Sequence, residues 1–249
     1  MNRCVFVYPY FDNPQMLDHQ VDNWNAFPEE VRRNLALVLV DDHSARPAWP
    51  ILARCTLRKI LLRFTQPGLW TMHEARNLGA FFTMERRVAD WLFLSDIDLV
   101  VTPETAVTLL SKRWNPRHHY SFSRAWAPAA TPGKPHPNSF LVERRAFAAI
   151  NGYDVDFCGL YGGGYGGDYE FARQLSTVSK HVHCPDVVLM GYSRDVIPDA
   201  NTTTWDRKEW YSKYLQVLNR KKEDGNLRSV HPVRRTWEVQ YSDYSATQP

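Results

Sequence analysis

The stretch Trp91-Leu-Phe-Leu-Ser-Asp-Ile-Asp-Leu-Val-Val101 decides how the chain is read. Trp91 to Leu94 is an apolar run too short for a helix and bulky enough for a buried strand. Asp96 and Asp98 interrupt the run on either side of Ile97, and Leu99-Val100-Val101 resumes it. Carboxylates inside an apolar run carry a desolvation cost that something must offset. At the carboxyl end of a strand in an open α/β sheet, that something is usually a ligand or a metal ion. Strand alternation predicts Asp96 and Asp98 on one side and Ile97 on the other. Carboxylate oxygens suit Mg²⁺ or Mn²⁺, commonly held by one or two carboxylates plus substrate phosphates. A lone Asp-x-Asp is also what a strand running into a solvated turn looks like, so the rest of the chain has to discriminate.

Upstream and downstream, strands and helices alternate. Cys4 to Tyr8 reads as a strand closed by Pro9, and Gln15 to Phe27 as a helix with Met16, Leu17, Val21 and Trp24 at helical spacing. Leu35 to Val40 is a continuous apolar run of the buried parallel kind, ending in Asp41-Asp42-His43-Ser44. Pro50 to Arg58 reads as helical, Lys59 to Phe64 as a strand, and His73 to about Arg87 as a helix. This order predicts an α/β domain with a mostly parallel, doubly wound sheet flanked by helices. After Val101, a helix opens at Thr102-Pro-Glu, with Pro at its first turn. Trp114 to Pro137 has no clear period and reads as a functional loop. Asn138 to Glu143 is a strand, Arg144 to Asn151 a short helix, Phe171 to Ser176 a helix, His181 to Met190 a strand and Asp206 to Lys222 an amphipathic helix. No linker divides this, so residues 1–222 are expected as one domain and 223–249 as a C-terminal extension, the last ~15 residues a polar tail.

At 249 residues the chain is long enough to bury a full core. Its 44% hydrophobic and 23% charged residues are ordinary for a globular protein. No apolar run approaches the ~20 residues of a membrane span, and the N-terminus reads straight into a strand without a secretory signal. Cys4, Cys55, Cys158 and Cys184 are widely spaced and form no CxxC pair, which excludes a zinc ribbon and predicts a reducing, cytoplasmic setting. Net charge is only +3, but residues 206–235 carry nine Lys/Arg against four acids. Such a run is a solvated helix face or meets an anionic acceptor such as nucleic acid.

Tyr161-Gly-Gly-Gly-Tyr-Gly-Gly-Asp-Tyr-Glu170 contains a literal GxGxxG at Gly162, Gly164 and Gly167. It follows no strand and lies far from the first βα turn, so a dinucleotide site is rejected. Glycines here let the backbone approach a ligand before the helix bearing Asp168 and Glu170.

Taken in order, Val7-Tyr-Pro-Tyr-Phe-Asp-Asn-Pro14, Leu39-Val-Asp-Asp-His-Ser44, Ala75-Arg-Asn-Leu-Gly79 and Ser95-Asp-Ile-Asp-Leu99 resemble the GT-A glycosyltransferases. So do Asn138-Ser-Phe-Leu, Ile150-Asn-Gly-Tyr153, Gly163 to Glu170, Tyr192-Ser-Arg-Asp195, Asn201 and Trp205-Asp-Arg207. The set is similar to the catalytic domain of the beta-1,4-galactosyltransferases and, more broadly, to the inverting family 2 glycosyltransferases. The resemblance implies a single GT-A domain that moves a sugar from a nucleoside diphosphate, UDP, to an acceptor hydroxyl with inversion. It places donor binding at Pro9, Tyr10, Asp42, Arg76, Asp96 and Gly166. Asp42 would meet the uracil or ribose, Arg76 the diphosphate, and Asp96 the ribose or a metal-bound water. Asp98, with Asp96, would hold Mn²⁺ or Mg²⁺ against the leaving diphosphate. Asp168 would be the general base.

Two positions depart from the family. Tyr165-Gly-Gly-Asp168 stands where Gly-Gly-Glu-Asp is usual, and counting back from Leu175 keeps Asp168 as the base. Tyr192 stands where the galactosyltransferases have a metal-binding His, for which His183 and His181 are alternatives. The acceptor is left open among a glycan, a small molecule, a protein and a hydroxymethylated base in DNA, which would need base flipping. Lys221, Lys222, Arg234 and Arg235, with Arg117-His118-His119, motivate the DNA reading. A catalytically silent binding module on the same fold is the rival from another class.

Overall fold

The computed structural model describes residues 2–164, 166–201, 206–226, 228 and 230–244. Four apolar runs form the parallel half of one large sheet: β1 (Cys4–Tyr10), β2 (Leu35–Asp41), β3 (Arg58–Phe64) and β4 (Trp91–Leu94), in the order β3-β2-β1-β4. Each side chain along β1 alternates between two cores. Phe6, Tyr8 and Tyr10 face one, with Leu17, Val21 and Trp24 of α1 (Pro14–Asn25), Leu52 of α3 (Trp49–Leu52) and Leu109 of α5 (Pro103–Ser111). Val5 and Val7 face the other, with Leu78 of α4 (Met72–Glu85), Phe147 of α6 (Arg144–Ala149) and Phe171 of α7 (Gly167–Leu175). Helices on both faces explain why β1, β2 and β4 read as unbroken apolar runs. The remaining short helix, α2 (Glu29–Asn34), leads directly into β2.

Beyond β4 the sheet becomes mixed. It continues through β8 (Phe140–Glu143), β6 (His118–Trp126), β9 (Lys180–Gly191) and β5 (Leu99–Val100), with β7 (Pro132–Gly133) beside β6. Only the β6–β9 pair is parallel there. The segment expected as a functional loop, 114–137, therefore holds the nine-residue strand β6. Its Tyr120 and Phe122 enter the core, while Ser121 bonds His181 and His183 of β9 and His119 bonds Ser179 just before it.

The expected polar tail is also corrected. β10 (Trp237–Ser242) adds antiparallel to β3 as an edge strand, which reads as polar because its side chains are largely exposed. A final helix, α8 (Arg207–Glu223), packs on the glycine-rich segment through Trp210 and Tyr214. Parallel pairing puts the carboxyl ends of β1, β2 and β4 on one edge, together with the N-terminus of α4. That edge is where an open α/β sheet builds a site.

Candidate active site

Past β4 the chain turns instead of continuing as a strand. Leu99 N–H closes on Asp96 C=O at 3.1 Å, so Asp96 and Asp98 sit in a tight turn and not on alternating strand positions. Buried Gln20 of α1 fixes the turn, its Nε2 donating to the carbonyls of Ile97 (2.8 Å) and Leu99 (3.1 Å). Ser95 Oγ and Ser139 Oγ lie 2.9 Å apart and tie the turn to the start of β8.

Arg76 is the cation at the centre. It is fully buried on α4, and its guanidinium donates to Asp96 Oδ1 and, at 3.2 Å, to Asp168 Oδ1. It was expected at the diphosphate, but two carboxylates already take its terminal nitrogens. Asp96 Oδ2 accepts from Asn138 Nδ2 at 3.1 Å and has His136 Nε2 at 3.7 Å. Asp168 is buried in the first turn of α7. Burial works against its charge, but His73 and Arg76 outweigh it and hold the carboxyl below the ordinary range. Its Oδ1 takes both bonds, with His73 Nε2 at 3.3 Å, and Oδ2 has no partner among the described residues.

Asp98 differs from both. Burial and then the neighbouring Asp96 charge push its carboxyl up to about 8. Its own backbone N–H and the charges of Arg124 and Arg76 oppose the rise without cancelling it. Asp96 and Asp168 thus share the Arg76 guanidinium in ion-pair contact, and Asp98 has no such contact among the described residues. A divalent cation would offset the cost of ionising Asp98 beside Asp96, and Asp98 is the carboxylate left to receive it. No group of three or more His, Cys, Asp or Glu gathers around a metal position among the described residues. Asp98 is therefore a fitting but incomplete ligand set.

The alternative ligands are engaged elsewhere. His183 contacts Ser121 Oγ and Ser123 Oγ, each at 3.3 Å, and His181 contacts Ser121 Oγ at 2.8 Å. Tyr192 donates its backbone N–H to Asp98 C=O at 3.0 Å, while its ring packs on His19 at 4.5 Å.

At the end of β1, Pro9 is half-buried and Tyr10 is enclosed, its hydroxyl donating to Arg46 C=O at 2.7 Å. Gly166 caps α7 with φ of 138°, a conformation open to glycine, and packs on the Tyr214 ring. Tyr165 and Trp205 lie outside the described residues.

Asp42 was expected at the nucleoside but is buried. Thr71 Oγ1 donates to its Oδ2, and Arg235 lies 2.7 Å from Oδ1. Burial raises its carboxyl, with Arg235 and Thr71 opposing. Arg235 also donates from Nε to Glu74 Oε2 at 2.9 Å and stacks on Phe64 at 3.6 Å. Buried Glu74 further accepts from Tyr161 hydroxyl (3.0 Å) and the backbone N–H groups of Arg234 (2.6 Å) and Arg235 (2.9 Å).

The same segment corrects the basic-patch reading. Lys221 is buried between Asp154 (2.9 Å) and Asp156, and Arg234 pairs with Asp156. His119 is buried against Ser179 Oγ at 2.8 Å. Of the cations motivating a DNA acceptor, Lys221, Arg234 and Arg235 neutralise the protein's own carboxylates.

Sequence reading missed His73, Glu74, His136 and Tyr153, and took Arg235 only as part of a basic run. His73 had a signal: it precedes Arg76 by three residues, the spacing that puts both on one helix face. The pairing of Glu74 with Arg235 had none, since it spans 161 residues.

No protein-family model matches the sequence, and no curated protein matches it. Solved structures do match. A mannosyltransferase from Pyrobaculum calidifontis, in complex with GDP-Man and Mn²⁺, is 15% identical with a TM-score of 0.58, over 90% of this chain and 64% of that one. Residues 1–349 of TarS from S. aureus, in complex with UDP-GlcNAc, are 10% identical with a TM-score of 0.60, over 89% of this chain and 73% of that one. GalNAc-T7 with UDP, GalNAc and Mn²⁺ is 12% identical with a TM-score of 0.59, over 88% of this chain and 48% of that one. The chain has the GT-A fold. No helix among the described residues is long and apolar enough to cross a membrane.

Proposed function

We propose that this protein is an inverting glycosyltransferase that moves a sugar from a nucleoside diphosphate, UDP, to an acceptor hydroxyl. The observation that carries the reading is the carboxylate cluster at the end of β4, where, among the described residues, Asp98 is in ion-pair contact with no cation and Asp168 Oδ2 has no partner. Structures of the same fold with GDP-Man and Mn²⁺, UDP-GlcNAc, or UDP, GalNAc and Mn²⁺ support it.

In one displacement the acceptor oxygen bonds to the anomeric carbon as the bond to the diphosphate breaks, which inverts the centre. Asp168 Oδ2 takes the hydroxyl proton, and Arg76 keeps Asp168 ionised through Oδ1. Asp98, with Asp96 beside it, would hold a divalent cation that offsets charge on the leaving diphosphate. Diphosphate and water would complete its coordination.

Thermal shift with UDP-glucose, UDP-galactose, UDP-GlcNAc and GDP-mannose, each with and without Mn²⁺, tests the reading. One donor should raise the Tm in a Mn²⁺-dependent way, because it binds the native state alone. No shift with any donor, and no release of UDP or GDP, would overturn it.

A further inference from the structure

His73 has no part in the donor or metal roles above, yet it lies fully buried against Asp168. We propose that His73 is a positioning residue for the proton acceptor, holding Asp168 Oδ1 with Arg76 so that Oδ2 faces the acceptor hydroxyl. The inference rests on the transferase reading and adds to it a side chain that the aspartate base alone does not require.

An ionised carboxylate only accepts, so His73 Nε2 carries the proton and donates across the 3.3 Å contact. The ring plane is set independently of that bond. His73 stacks on Tyr153 at 5.1 Å and 11°, and Tyr153 stacks on Phe171 at 3.7 Å and 11°. Phe171 follows Asp168 by three residues on the same helix, so one element positions both the base and the far end of the stack.

Asn77, one turn beyond His73 on α4, pins Tyr153 by its main chain, accepting from N–H at 2.7 Å and donating to C=O at 2.8 Å. Arg76 lies over the Tyr153 ring at 5.4 Å. A Cβ at position 167 would fall 2.4 Å from His73 Cε1, so glycine there is what lets the imidazole reach the residue before the base. Two helices and one intervening ring therefore fix Oδ1, and rotation of the carboxylate would break both of its bonds.

The groups facing Asp168 are His73 and Arg76 from α4, Tyr153 after α6, and His136 before β8, with Asp96 reached through Arg76. From α8, Tyr214 donates to Glu170, two residues past Asp168, at 3.0 Å. Removing the His73 N–H leaves Arg76 as the one donor to Oδ1, and the carboxyl then moves up towards the ordinary Asp value.

The test compares the full-length wild type with His73→Leu, which removes the donor, and His73→Gln, which keeps an N–H near the Nε2 position. Aspartate carboxyl ¹³C signals are followed against pH, with Asp168 assigned by its loss in Asp168→Asn. His73→Leu should raise the Asp168 midpoint by roughly half a unit or more, and His73→Gln should restore it. In UDP-sugar hydrolysis, His73→Leu should lower kcat roughly tenfold with donor KM unchanged, and shift the acid limb upward.

A folded His73→Leu protein with an unmoved Asp168 midpoint and wild-type kcat overturns the proposal. A wild type that hydrolyses none of the donors overturns the transferase reading instead, because the carboxyl titration needs no turnover.

Discussion

Two clusters of carboxylates occupy the same edge of the sheet and are built differently. Around the ends of β2 and α8, Asp42, Glu74, Asp154 and Asp156 meet Arg235, Lys221 and Arg234, with the Thr71 and Tyr161 hydroxyls completing the set. At the end of β4, Asp96 and Asp168 share Arg76, with His136 and His73 beside them, while Asp98 is in ion-pair contact with no cation among the described residues. Where every carboxylate meets a cation the cluster is a closed structural knot, whereas the cluster that leaves Asp98 without one among the described residues makes a site. In sequence, Asp41-Asp42 and Asp96-Ile-Asp98 look alike, each ending an apolar run. What separates them is the supply of cations from distant segments, since a buried carboxylate is stable only where its charge is met.

The largest expected effect lies in the open cluster. Asp168→Asn should retain donor binding and lose roughly 10²- to 10⁴-fold in turnover, measured under saturating donor. Near-wild-type transfer would remove Asp168 from the chemistry.

Next comes the closed cluster, where Arg235→Met leaves Glu74 and Asp42 buried without their cation. Urea denaturation should show a loss of about 3–5 kcal/mol. A loss under about 1 kcal/mol would erase the distinction between the two clusters.

The open cluster should respond with the opposite sign. Asp98→Asn removes a buried carboxyl whose ionisation the fold opposes, so the metal-free protein should gain roughly 0.5–2 kcal/mol while losing activity. Destabilisation by that substitution would mean Asp98 has a structural partner.

Acidity gives a finer separation. Burial opposes the Asp156 charge, but Lys221 and Arg234 outweigh it and hold its carboxyl below 3.8. Its stabilisation is complete above that unfolded value and is lost as pH falls through the lower folded one. Asp156→Asn should therefore flatten the stability profile below pH 3.8 and leave neutral-pH shape unchanged. Smallest of all, Lys222→Glu on the exposed face of α8 should change stability by under about 0.5 kcal/mol.

Much of this was readable from the residues. The runs at β1, β2 and β4 are apolar on both faces, and carboxylates at the end of β4 and at the start of α7 could be picked out from the residues, though not the turn that carries Asp96 and Asp98. β6 was hidden because Ser121, Ser123 and His119 alternate with its core residues and give it a loop-like composition. β10 was hidden because an edge strand with exposed side chains has no apolar period. The basic run was visible as charge, but its commitment to Asp154, Asp156, Asp42 and Glu74 was not. Those pairs join segments that only the fold brings together.

Mn²⁺ titration by calorimetry, without and with UDP, tests the contrast most directly. Asp98, which among the described residues is in ion-pair contact with no cation, predicts weak binding to the protein alone and at least about tenfold tighter binding with UDP. That binding should vanish in Asp98→Asn and persist in His183→Ala. Micromolar Mn²⁺ affinity without UDP that His183→Ala abolishes would contradict the account, because the cation would then belong to β9 and not to the turn after β4.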